Sequence, residues 1–237
     1  MLEHKNRGAK LPTSDENGVF DTAPAQTLVL LVDFKTDGHA LFPIVSQQLS
    51  ALREKGYLSY FNGSSTIFGP ITVVATGNAP FDLVTTNHNA TYRDIFFDAP
   101  LAQMYSSEKS HSSTSMQSST PVQTTGQGNV GTSPDSTFSV ANSYYASANF
   151  QNAIGWLWWG DFSAHQLDLL RGQIRGAHER GLKARYWGAP TWPEAHRNRV
   201  WDVLVSEGVD YLNDDDLEGM SRVDYGRRNG VEGGRGG

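Results

Sequence analysis

Two polar residues close an otherwise apolar run near the start of the chain. In LVLLVDFKTDG, residues 28–38, five aliphatic residues lead directly into Asp33 and Lys35. Side chains alternate across a strand, so Asp33 and Lys35 share one face and Phe34 takes the other. A carboxylate at the end of a buried strand suits a hard cation. An ammonium two residues on suits a phosphate or a developing oxyanion. The same pair is equally what an ordinary salt bridge looks like where a strand emerges into water.

Other polar residues stand at the ends of other apolar runs: Thr76 and Asn78, Asp98, Ser147 and Asn149, Trp187, then Asn213 and Asp214. Asn78 is a candidate substrate contact at its strand end, and Asn213, on the parity of Tyr211 and Val209, is a candidate site residue. Asp98 stands two residues before Pro100 and reads more readily as a turn cap than as a ligand. Asp214–Asp216 precede a short helix, where an acid is usually an N-cap. Lys183, Arg185 and Trp187 fall on one face of their strand, too polar a row for a core unless it meets ligand, water or carboxylates. His39 follows the Lys35 loop closely enough to reach the same end. The seven histidines form no H-x-H or H-E-x-x-H pattern. His178 and His196 fall on helices and read as surface. WLWW at 156–159 reads as core or as a partner surface, since no basic residues interleave it as a base-stacking platform requires.

The elements that must hold these residues alternate. Strands are expected at 28–34, 71–76, 94–100, 143–150, 182–187 and 209–213. A helix is expected over 40–55, with Leu41, Ile44, Val45, Leu49 and Leu52 on one face and Gly56 as its stop. A short helix follows in PFDLVTTN. Ser163 with Gln166 spells a capping box, ahead of a face of Leu167, Leu170, Ile174 and Ala177 that ends at Gly181. Thr191 with Glu194 spells a second capping box, ahead of Val200, Trp201, Leu204 and Val205. Strands separated by helices imply a parallel sheet covered on both faces. No G-x-G-x-x-G follows the first strand, which argues against a dinucleotide fold. Polar residues at one end of strand after strand argue for a (β/α)₈ barrel. Six strands leave such a barrel two βα units short.

Composition sets the outer limits. The 237 residues carry a net charge of −6 and no cysteine. The acidic balance argues against nucleic acid as a partner, and the lack of cysteine removes thiol chemistry. No run reaches the roughly 18 apolar residues of a membrane span. Residues 106–137 are rich in Ser, Thr, Gln and Gly and read as a disordered insertion. Residues 221–237, ending EGGRGG, read as a disordered tail. Residues 1–220 then form one incomplete barrel domain around that insertion.

Several long motifs carry a family resemblance: QTLVLLVDFKTDG, GPITVVATGNAPFD, TYRDIFFDAPL, NSYYAS, QLDLLRGQIRGAHERGLKARYW and HRNRVWDVLVSEGVDYLNDDDL. The chain resembles the fungal altered inheritance of mitochondria protein 6 family, itself similar to the phospholipase C-like, glycerophosphodiester phosphodiesterase barrels. The resemblance implies an α/β fold of TIM type, a (β/α)₈ barrel lacking its first two βα units. It implies hydrolysis of a glycerol or lipid-type phosphodiester, with Mg²⁺ or Ca²⁺ held by carboxylates and two histidines moving protons. It places Asp33 as a metal ligand on the third barrel strand and Lys35 beside it on phosphate. It places Ser147 and Asn149 at the end of the sixth strand, Trp187 at the end of the seventh lining the substrate pocket, and Asn213 at the end of the eighth. The implied partner is a small phosphodiester or a phospholipid. The family name suggests a mitochondrial link, and the compartment stays open.

This chain departs from that pattern. No His, Glu and Asp set of the implied kind precedes residue 28, and MLEHKN reads as the helix before the third strand, so His4 is not a catalytic candidate. The expectation is a fragment whose cation site is weak or absent and whose hydrolase activity is lost. Two other functions compete: a non-catalytic barrel that binds a phosphorylated ligand or a protein, and a glycosidase with Asp33 and Asp98 as its acid pair and Trp187 stacked on sugar.

Overall fold

A computed structural model of the chain describes residues 18–86, 92–106, 129–158 and 161–223. Two compact units divide the chain: Met1–Ala99 with Thr125–Tyr145, and Pro100–Thr124 with Ala146–Gly237. Most of the expected insertion and most of the expected tail lie outside the described residues. Of the insertion, residue 106 is described, as are residues 129–137. They run in turns, and Val130 O accepts from Phe81 N at 2.9 Å.

The first unit is built on three parallel strands. These are β1 (Leu28–Phe34), β4 (Ile71–Gly77) and β5 (Ile95–Pro100), whose last residue crosses the unit boundary. β4 pairs with both others, Leu31 opposite Val74 and Val74 opposite Phe96. It is buried along almost its whole length, as the continuous apolar run ITVVA requires of a central parallel strand. Between β1 and β4 lie helix α1 (Gly38–Gln48), helix α2 (Ser50–Glu54) and a two-residue hairpin of β2 (Tyr60–Phe61) with β3 (Thr66–Ile67). Helix α3 (Phe81–Thr86) follows β4. Phe81 meets Phe97 and Phe138 with ring centroids 5.0 Å apart in each pair.

The expected single helix over 40–55 breaks at Leu49 into α1 and α2. Asp37 caps α1, its carboxylate accepting from His39 N at 3.0 Å and Ala40 N at 3.2 Å. The residues α1 buries are Gly38, Phe42 and Ser46; of the expected row Leu49 is buried, Leu41, Val45 and Leu52 are half-buried, and Ile44 stands in solvent. Gly38 is required there because a Cβ would run into Asn78 O. Gly56, with φ 68, ends the pair of helices as expected.

The second unit contains β7 (Lys183–Trp187), the end of β6 (Ser143–Asn149), and the helices α4 (Phe150–Ala153), α5 (Ala164–Glu179), α6 (Glu194–Ser206) and α7 (Leu217–Arg222). The Ser163 capping box forms as read: Ser163 Oγ accepts from Gln166 N at 3.3 Å, and Gln166 Oε1 accepts from Ser163 N at 3.0 Å. Gly172 and Gly176 let α5 press against Tyr105 and Met104; a Cβ on Gly176 would collide with Met104 O. The second expected capping box does not form. Helix α6 starts at Glu194, with Pro193 at its N-cap and no side-chain cap. Glu194 is therefore the first helical residue rather than the third, and its carboxylate lies 3.7 Å from Arg197 instead.

The expected TIM-type (β/α)₈ barrel lacking its first two βα units, with six strands, is not what the chain forms. Among the described residues the main sheet has five parallel strands in the order β1–β4–β5–β6–β7, with β1 and β7 as its edges. The sixth expected strand, 209–213, shrinks to a single parallel bridge between Tyr211 and Arg185. Asp210 explains the loss. Its carboxylate takes the Ala184 N–H at 2.8 Å, the ladder donor that a strand carbonyl would have used, and also meets His178 Nε2 at 2.8 Å and Lys183 Nζ at 3.1 Å. At the other edge, the expected burial of β1 on both faces fails because no strand flanks it among the described residues. Leu28, Leu30 and Leu31 are 36–38% exposed, and only Phe34 is fully buried, stacked on Phe42.

Candidate functional site

The strand ends of the first unit gather the first group of candidates. Phe34, 1% exposed, anchors the end of β1 in the core. The chain on either side of it turns Asp33 and Lys35 outward. Lys35 Nζ lies 2.5 Å from Asp33 Oδ2, with the two side chains 80% and 42% exposed. Asp33 is opposite Thr76 in the ladder, and Gly77 follows with φ 68. A side chain on Gly77 would strike Asp33 Oδ1, so the glycine leaves room for the carboxylate.

Asn78 is exposed, and its backbone N–H donates to Phe34 O at 2.8 Å, so it sits beside the end of β1. Thr76 Oγ1 donates to Asp98 Oδ2 at 2.8 Å. Asp98 is a buried strand residue, 1% exposed, rather than the turn cap expected before Pro100.

One partner is not foreshadowed by the spacing of the charged residues. His39 Nε2 lies 3.0 and 3.1 Å from the two carboxylate oxygens of Asp82. His39 stands in the first turn of α1 and Asp82 in the first turn of α3. Contact between Gly38 and Asn78 brings those two helix starts together. The available signal was PFDLV, an acid in the first helical turn just after the β4 loop.

The second unit collects its own candidates around Arg185. Its guanidinium donates from Nη2 to Asn213 Oδ1 and from Nη1 to Ser147 Oγ at 3.5 Å. Ser147 is 1% exposed, while Trp187 and Asn213 are half-buried. Asn149 serves the scaffold, because its Oδ1 caps α4 by accepting from Asn152 N at 3.0 Å. Tyr186, on the opposite face of β7 from Arg185, is buried, and its hydroxyl donates to Gln173 Oε1 at 2.8 Å. Burial holds that phenol well above the usual tyrosine range.

Of the acidic residues after Asn213, Asp216 is the N-cap of α7. It accepts from Gly219 N at 2.8 Å and from Arg197 Nη1 at 2.7 Å. The Gly219 N–H, followed by the Arg197 guanidinium, holds its carboxyl below the usual carboxylate range. A cleft between α5 and the end of α6 is lined by Arg171, Arg175 and His178. Its Arg171 is held by Glu207 at 2.7 and 2.6 Å.

A divalent cation is the group the phosphodiesterase resemblance implies, and the described residues do not fit it. Asp33 already faces an ammonium, and no three His, Asp or Glu side chains gather to hold a metal among the described residues. Hard divalent cations take several oxygen ligands. Among the same residues, no helix is long and apolar enough to cross a membrane.

Comparison with known proteins agrees with the motifs. A family profile described as AIM6-like phosphodiesterase domain matches residues 1–98. The altered inheritance of mitochondria protein 6 homolog of Arthroderma benhamiae is 35% identical over 205 residues, covering 85% of this chain and 54% of that protein. The altered inheritance of mitochondria protein 6 of Lachancea thermotolerans is 30% identical, covering 87% of this chain and 46% of that protein. The Saccharomyces cerevisiae S288c protein of the same name is 28% identical, covering 85% and 49%. The chain thus spans about half the length of the curated relatives it matches. No solved structure matches it significantly. With the profile falling on the strand that carries Asp33 and leads into Lys35, and the similarity running across most of the chain, this chain is similar to the altered inheritance of mitochondria protein 6 proteins and to an AIM6-like phosphodiesterase domain.

Proposed function

We propose that the family's reaction is metal-assisted hydrolysis of a glycerol or lipid-type phosphodiester. We further propose that this 237-residue chain supplies the phosphate-binding part of the site with little or no hydrolysis of its own. The observation that carries the reading is the match of residues 1–98 to a phosphodiesterase domain. That span contains Asp33 and Lys35 at the end of β1. Lys35 presents an exposed ammonium to a non-bridging phosphate oxygen. Asp33 sets the position of that ammonium and repels a second anion. Asn78 offers amide N–H donors from the adjoining strand end.

A productive cation would need carboxylates beyond Asp33, and each proton transfer left unassisted costs about 10²–10⁴-fold in rate. Binding of a phosphorylated ligand without turnover is the second reading, favoured by the exposure of Lys35 together with the lack of a carboxylate and histidine cluster among the described residues. The test is incubation of the purified chain with glycerophosphocholine and lysophosphatidylcholine in the presence of Mg²⁺ or Ca²⁺. The expected result is no release of product above buffer. Hydrolysis that disappears in Asp33→Ala would overturn the proposed inactivity and establish an enzyme.

A further inference from the structure

Among the described residues, the apolar side chains most open to water all belong to the second unit. Trp156, Trp158 and Trp192 are 74%, 82% and 78% exposed, and Leu217 is 72% exposed. They come from three successive connections that leave the same end of the strands. Trp156 and Trp158 follow β6, Trp192 follows β7, and Leu217 follows the bridge that aligns Tyr211 parallel to Arg185. Two contacts tie these connections together. A Cβ on Gly188 would lie 2.7 Å from Asn149 Nδ2, which brings the start of the Trp192 loop to the start of the Trp156 loop. Arg197, in the first turn after Trp192, holds Asp216, the residue before Leu217, at 2.7 Å.

Individual exposed apolar residues are ordinary. Three nearly naked indoles at one end of a fold are not, because a tryptophan normally contributes a large buried area. Indole has an apolar body and one N–H, a combination that favours the boundary between water and hydrocarbon.

We propose that Trp156, Trp158 and Trp192 dock this protein on the surface of a lipid bilayer with zwitterionic head groups. The choice of occupant rests on area and charge. Three indoles that bury roughly 150–250 Å² each, about three-quarters of it accessible here, offer roughly 350–550 Å². A stable protein interface takes about 800 Å² per partner, whereas shallow insertion into a bilayer has no such minimum and grows with each apolar tip. The same loops carry acids: Asp161 after Trp158, Glu194 after Trp192, and Asp214 and Asp215 ahead of Leu217. The nearby Arg197 is buried and already paired. An anionic membrane or a nucleic acid would be repelled, and a neutral head-group layer would not. The inference goes beyond the phosphodiesterase reading and does not rest on it, since docking is measured without turnover.

The experiment is flotation of the 237-residue chain with phosphatidylcholine vesicles, in which aggregated protein sediments instead. Tryptophan emission is followed in parallel. The expected result is co-flotation that barely changes between 0.1 and 1 M salt (on the order of the range where screening removes surface attraction), with a blue shift of the emission. The triple variant W156S/W158S/W192S, checked for folding by circular dichroism, should lose at least about tenfold in partition coefficient. Phe68→Ser, an exposed aromatic in the other unit, should leave partition unchanged. Equal flotation of the triple variant would overturn the proposal, as would binding confined to phosphatidylserine vesicles and abolished by salt. Self-association lost in the triple variant, with no flotation of the parent, would assign the indoles to a contact between copies and overturn it as well.

Discussion

Lys35 and Asp33 face each other across 2.5 Å at the end of β1, yet both side chains stand largely in water. An ion pair so exposed contributes about 0–1 kcal/mol, because water screens the attraction and two long side chains must be ordered. Stability does not explain the pair, and that separates it from the buried charges of the same unit. Asp33→Asn and Lys35→Met should each change the free energy of unfolding by less than about 1 kcal/mol in urea titration. Lys35→Met should at the same time remove most of the affinity for glycerophosphocholine in low-salt calorimetry, while Asp33→Asn should strengthen it by removing a competing anion. A large stability loss in either variant would move the pair from the ligand site to the scaffold.

Arg53 and Asp94 make the contrasting case. Arg53 Nε donates to Asp94 Oδ2 at 2.5 Å and Nη2 donates to Oδ1 at 3.1 Å, a two-pronged contact in which Asp94 is 1% exposed. Arg53 also reaches Ser46 O at 3.2 Å, tying α1 to α2. The hydrogen bond to Asp94 raises the already high Arg53 pKa, so the guanidinium stays charged. Removing one member of a buried pair strands the other, at about 3–5 kcal/mol for full burial. Arg53 is a quarter exposed, so Asp94→Ala should cost about 3 kcal/mol. Guanidinium denaturation checks this. A cost near that of Asp33→Asn would show that water reaches Arg53 when its partner is gone.

Local signals in the sequence were strong wherever one residue type has one physical use. The Ser163–Gln166 box and the positive-φ stops at Gly56 and Gly181 are where the residue types put them. The apolar runs of β1, β4, β5, β6 and β7 were equally legible. What stayed hidden depends on the rest of the sheet. VDYLN has strand composition, and only the geometry of Asp210, capping the Ala184 N–H, turns it into a single bridge. Nothing in LVLLV alone tells an edge from a central strand; the shortfall of two βα units implied that some strand edge is left exposed, and the structure shows that edge at β1, with Leu30 38% exposed. At the site, Asp33 and Lys35 were visible because charge ends an apolar run. Asp82 was not, because its meeting with His39 depends on how close α1 and α3 start. Arg185 was visible only as a charge out of place, and its contacts with Ser147 and Asn213 give that charge a reason.

The exposed β1 edge carries its own prediction. Leu28–Val32 has no Pro and no charge, the devices that blunt strand edges. The chain should therefore self-associate through this edge. Leu30→Lys places a charge in the middle of it at little folding cost, since Leu30 is already 38% exposed. The variant should elute at a smaller apparent size and show less turbidity at equal concentration. Ile44→Lys, a still more exposed position on α1, should not. Identical behaviour of the two variants would place the association elsewhere.

The alkaline limb of stability should trace to Tyr186. Burial raises the pKa of this phenol above its ordinary value near 10, so the folded state holds the proton more tightly than the unfolded chain. Linkage then fixes the sign. The contribution is intact below about pH 10 and is lost as pH rises from there toward the folded pKa, at no more than about 1.4 kcal/mol per pH unit for one proton. Tyr186→Phe removes the titration but also leaves the buried Gln173 oxygen without its donor, at about 1–3 kcal/mol. The variant should therefore be less stable than the parent at pH 7, and its stability should fall less steeply between pH 10 and pH 11.5 (about the window above the ordinary phenol pKa). The double variant Tyr186→Phe/Gln173→Leu removes the stranded oxygen too and should recover part of the loss at pH 7 while keeping the shallower limb. Urea unfolding across that pH range reads both effects. Parallel curves for parent and Tyr186→Phe would mean that another group sets the alkaline limit.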